Sequence, residues 1–76
     1  MTLRDEVQER VIGARDAAAA ALCGWTAGLL MVRARELLEI QLHHTRPDAP
    51  GRAGDAMIQA AGMLMLAAEK EELKHG

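Results

Sequence analysis

The sequence predicts an all-α fold: a two-helix antiparallel hairpin with a long first helix, self-associating into a four-helix-type bundle. Three observations predict it. Half of the 76 residues are hydrophobic, yet Trp25 is the only aromatic side chain. Apolar burial therefore falls to Ala, Leu, Met, Val and Ile, a mixture that favours helices over strands. Apolar or small residues recur as Leu3, Val7, Val11, Ala14, Ala18, Leu22, Trp25, Leu29 and Val32, alternating steps of four and three as one helix face requires. The chain also has one strong break, "HHTRPDAPGR" at 43–52, with two prolines and a glycine.

The first element begins near residue 3. Thr2 can cap it, with Asp5 reaching back to the free backbone N–H, while Glu6 and Glu9 suit the positive end of the helix dipole. A second strip, Leu30, Ala34, Leu37 or Leu38, and Leu42, carries the apolar pattern onward. Glu6 with Arg10, and Arg35 with Glu39, stand four apart and support an exposed helical face. The helix is expected over about 3–44 and ends near His44, where histidines meet the negative end of the dipole. A loop at about 45–52 follows. Asp48 or Asp55 can cap a second helix over about 53–74, "AMIQAAGMLMLAAEKEELK" forming most of it. All 76 residues read as a single helical-hairpin domain.

The two lengths do not match. At about 1.5 Å per residue the first helix would span roughly 60 Å and the second roughly 30 Å. A turn near 48–51 would set Leu42 against Met57, Leu38 against Ala61 and Ala34 against Met65, leaving Ala17 to Trp25 uncovered by its own chain. The stretch "AAAAALCGWTAGLLMV", Ala17 to Val32, contains no charge and Thr26 is its only polar side chain. A membrane span needs about 20 predominantly apolar residues, and this run is shorter and rich in alanine. Apolar surface on all sides of a helix asks for cover on more than one side, and the short second helix supplies one. The other side is expected to meet a second copy, through a self-association surface of Ala20, Gly24, Trp25, Gly28 and Leu29. Ala20, Gly24 and Gly28 lie four apart, a smooth strip that lets helices approach closely. Alternatively the glycines kink the first helix, and breakage at Gly13 or Gly24 gives a three-helix unit.

Few residues invite chemistry. Glu36, Glu39 and His43 share a helix face, and carboxylate plus imidazole is a ligand set of helical bundles. Their expected neighbours, Met63, Ala60 and Ala56, offer no hard-metal ligand, so a metal-binding bundle is the weaker alternative and no cofactor is expected. Cys23, inside the apolar run with no His or Lys near it in sequence, reads as a buried structural thiol. There is no serine and no phosphate-loop glycine pattern, so catalysis has little to stand on. Nine Lys/Arg against eleven Asp/Glu give a net charge of −2, with no basic block or aromatic platform for nucleic acid. A lone cysteine suits a reducing, cytoplasmic setting, and the polar start "MTLRDEVQER" is unlike a secretory signal. Met31, Met57, Met63 and Met65 form a soft, adaptable set of side chains, and Glu69, Glu71 and Glu72 could dock a basic partner. The expectation is a non-enzymatic protein-binding module, a small oligomeric regulator, adaptor or inhibitor, whose partners are itself and another protein. The rival reading from another class is a small membrane-associated helical protein.

Overall fold

The computed structural model describes residues 2–44 and 52–75, which form three α-helices: α1 (Leu3–Ala21), α2 (Ala27–His44) and α3 (Arg52–His75). Among the described residues there is no strand, and no helix is long and apolar enough to cross a membrane. The predicted loop at about 45–52, with Asp48, lies almost wholly outside the described residues.

α1 starts as its first residues dictate. The Thr2 hydroxyl accepts from the Asp5 backbone N–H at 3.2 Å, and the Asp5 carboxylate accepts from the Thr2 backbone N–H at 3.2 Å. This reciprocal box satisfies two otherwise orphaned donors. Of the expected Glu6–Arg10 and Arg35–Glu39 pairs only the second forms, at 3.7 Å. Arg10 reaches instead to Asp55 on α3, at 2.6 Å.

The continuous helix over 3–44 does not form. α1 ends at Ala21, the Leu22 N–H donates to the Ala18 carbonyl, and the Trp25 N–H closes a turn onto the Leu22 carbonyl. Thr26 then starts α2: its hydroxyl accepts from the Leu29 N–H and its carbonyl from the Leu30 N–H. The expected break at Gly24 is the alternative that holds, and Gly13 stays within a helix. The molecule measures 44 × 32 × 20 Å, shorter in every direction than the roughly 60 Å rod that an unbroken helix would make.

α3 is the central element. α1 and α2 each pack against it, and among the described residues their backbones do not come close to each other. Ala18, Ala27, Leu30, Leu66 and Ala67 gather in one buried cluster, flanked by Ala19, Leu22, Trp25 and Met63. Ala27 and Leu30 open α2 whereas Leu66 and Ala67 lie late in α3, so these two helices run antiparallel. The expected hairpin pairing is not buried along its whole length. Leu42 and Met57, set opposite each other by the sequence register, are 79% and 55% exposed, and Leu38 is half-buried. Nor is all of Ala17 to Trp25 left uncovered: α1 folds back onto α3 and buries Ala18.

Gly62 makes that return possible. A Cβ there would lie 2.6 Å from the Arg15 backbone nitrogen and 2.7 Å from the Ala14 Cβ, so α1 and α3 touch backbone to backbone. Beside the contact, the Arg15 guanidinium grips both carboxylate oxygens of Glu69, at 2.6 and 3.1 Å, and also pairs with Asp16. The hydrogen bonds to Glu69 and then to Asp16 hold Arg15 above its usual pKa. A raised basic group loses its contribution only as pH climbs past that value, so this contact stays charged on the arginine side across the ordinary working range.

Candidate interaction surface

The core is mostly alanine, and among the described residues Leu30 and Leu66 are its large members, Leu30 wholly buried. Many other large apolar residues lie outside it. Leu29, Met31, Val32, Ile40 and Leu42 on α2, and Met57, Leu64, Met65 and Leu73 on α3, are all exposed. Large apolar side chains cost most to leave in water, so a chain that buries mostly alanine and exposes these has put much of its hydrophobic capacity on the surface.

Between α1 and α2, floored by α3, runs a groove of about 610 Å³. Ala14, Ala17, Ala18 and Ala21 line its α1 wall, Leu22 and Trp25 close one end, Gln59 and Met63 form the floor, and Arg33 stands on the α2 side. Its shape follows from the architecture, since two helices that share a support while their backbones stay apart leave a trough between them. A shallower depression of about 500 Å³ lies on α3 among Met65, Ala68, Glu69, Glu72 and Leu73.

The predicted self-association residues do not share one helix. Ala20 is on α1, Gly24 and Trp25 are in the linker, and Gly28 and Leu29 are in the first turn of α2. Trp25 is half-buried against the core cluster while the other four are exposed. Cys23, expected to be a buried thiol, is exposed. α1 ends at Ala21, so Cys23 falls in the linker rather than within a helix buried along the apolar run.

The face of Glu36, Glu39 and His43 is not assembled into a metal centre. Glu36 pairs with Arg33 at 3.3 Å, Glu39 pairs with Arg35, and His43 is exposed. Among the described residues no three His, Cys, Asp or Glu side chains come together in a set that could hold a metal ion. Of the acidic C-terminal residues, Glu69 is engaged by Arg15. Sequence reasoning passed over Gly62. The signal was present, because a glycine inside an otherwise strong helix costs about 0.5–1 kcal/mol relative to alanine and so asks for a reason such as close approach. Comparison with protein-family models, with curated proteins and with solved structures found no match.

Proposed function

We propose that the chain is a non-enzymatic protein-binding module, a small regulator, adaptor or inhibitor that self-associates and presents its helical surfaces to another protein in the cytoplasm. One observation carries this reading: beyond a core of Leu30, Leu66 and alanines, many large apolar side chains of α2 and α3 are exposed, and an apolar groove opens between α1 and α2. Met31, Met57 and Met65 are among the exposed residues, and their unbranched, polarisable side chains adapt to more than one contact shape.

Light scattering on the eluting protein tests the self-association. The expected result at micromolar concentration is at least twice the 8.2 kDa chain mass. A folded monomer across the whole concentration range overturns the oligomeric reading.

A further inference from the structure

We infer that Leu22–Thr26 is a hinge and that two copies of this chain dimerise by exchanging α1: the linker straightens, α1 and α2 become one rod, and α1 docks on α3 of the second copy. The inference deepens the proposed self-association and rests on it.

The apolar frame is the first argument. Leu3, Val7, Val11, Ala14, Ala18, Leu22, Trp25, Leu29 and Val32 keep the three-and-four step in sequence through the linker, although in the closed chain the buried face of α2 is Ala27, Leu30 and Ala34 and leaves Leu29 and Val32 of this frame exposed. Two independent helices joined by a turn have no need to stay in register, whereas a single rod does. The linker, "LCGWT", holds no proline, and Gly24 does not occupy the left-handed region that would commit it to a turn. Straightening it would close the backbone hydrogen bonds that the break leaves open, and short hinge connections are where exchange between copies arises.

Packing direction is the second. Arg10 pairs with Asp55, Ala14 meets Gly62, and Arg15 meets Glu69, so α1 and α3 advance together along the chain. α2 and α3 run opposite ways. Remaking the α1–α3 contact between copies while each α2–α3 contact is kept therefore sets the two α3 helices, and with them the two rods, antiparallel about a twofold axis. Among the described residues the α1 backbone makes its close approaches to α3 and none to α2, so what holds α1, apart from the linker, is chiefly a set of α3 contacts that a second copy's α3 can equally supply.

The register closes on that axis. Ala18 and Leu30 belong to one buried cluster with Leu66 and Ala67 of α3 and stand equally far, on opposite sides, from Gly24. Ala14, set against Gly62, and Ala34, buried on the helix that α3 covers, stand equally far from it as well. In antiparallel rods crossing at Gly24, Ala18 of one copy lies level with the partner subunit's Leu30, and Ala14 level with the partner subunit's Ala34. Every α3 then keeps the neighbours it has in the closed chain. The crossing itself falls on Ala20, Gly24 and Gly28, which the closed chain distributes over two helices and a linker and which the straight rod restores to one smooth strip.

The test replaces Arg10 and Asp55 by cysteine in a Cys23→Ala background and treats the separated dimer and monomer fractions with a short bis-maleimide before denaturing electrophoresis. Exchange predicts covalent dimers from the dimer fraction and internally linked single chains from the monomer fraction. Dimer that yields only internally linked single chains means that closed chains dock side by side, which overturns the exchange and leaves self-association standing. Monomer alone at every concentration overturns both. Gly24→Ala gives a second readout, because nothing in the closed chain lies within 4 Å of the added Cβ: exchange predicts a severalfold larger dimer fraction at fixed concentration, and an unchanged or smaller fraction counts against a straightening hinge.

Discussion

A methyl group added at Gly62 would sit 2.6 Å from the Arg15 backbone nitrogen and 2.8 Å from the Ala14 carbonyl carbon, distances at which backbone rather than a side-chain tip has to move. Overpacking of this kind costs about 1–3 kcal/mol, and better helix propensity returns only about 0.5–1 kcal/mol of it. Gly62→Ala is therefore expected to lower stability by about 1–2 kcal/mol in urea unfolding. Gly13 has no atom within 4 Å of its Cβ position, so Gly13→Ala should raise stability by about 0.5–1 kcal/mol. Equal responses at the two sites would show that α1 and α3 are not in backbone contact. The same scale contains Leu30, whose side chain is wholly enclosed. Leu30→Ala is expected to cost about 2–5 kcal/mol, enough in a domain of this size to abolish cooperative melting followed by circular dichroism. Retention of a sharp melt near the parent temperature would place the core elsewhere.

At the scale of elements, the sequence showed the helical class, the start at Thr2 and the end of α2 near His44, because those features depend on local chemistry: a capping box and a strong break. The interruption between Ala21 and Ala27 was legible only as an alternative, a break at Gly24 or Gly13, beside the expected continuous helix. The competing signals there are even. The apolar frame argues for continuity, Gly24 is neutral, and Thr26 is a helix starter without an acidic or amide residue three positions on, where Leu29 stands. What decides between rod and bend is the non-local return of α1 onto Gly62, which no window around the linker contains. Thr26→Ala measures that balance. Loss of a threonine cap costs about 1 kcal/mol, while alanine favours a helix running through the linker. The variant should melt lower as a monomer and gain dimer at a given concentration; a lower melt with less dimer would tie the cap to both forms and remove the opposition.

For the whole molecule, the arrangement of apolar residues matters more than their number. Of the residues that the sequence proposes for self-association, Ala20, Gly24, Trp25, Gly28 and Leu29, the strip Ala20, Gly24 and Gly28 stands out because small residues four apart are visible in a string. Their division between α1, linker and α2 does not stand out, since it follows from the bend. Gly28 distinguishes the strip from an incidental glycine. In the closed chain a Cβ at Gly28 meets only the Thr26 hydroxyl, at 3.9 Å, so a larger side chain is accommodated and helix propensity rises. At a crossing of two rods the same side chain stands between the backbones. Gly28→Leu is therefore expected to leave helix content and monomer stability at or slightly above the parent values, while weakening association by at least tenfold, which corresponds to about 1.4 kcal/mol. Because propensity favours helix in either form, a loss of association in a chain that melts no lower has only a steric origin. Sedimentation equilibrium beside thermal melts separates the two effects. A Gly28→Leu chain that dimerises as tightly as the parent and melts higher would place the contact between copies on the exposed α2 face of Leu29, Val32 and Ile40, away from the strip.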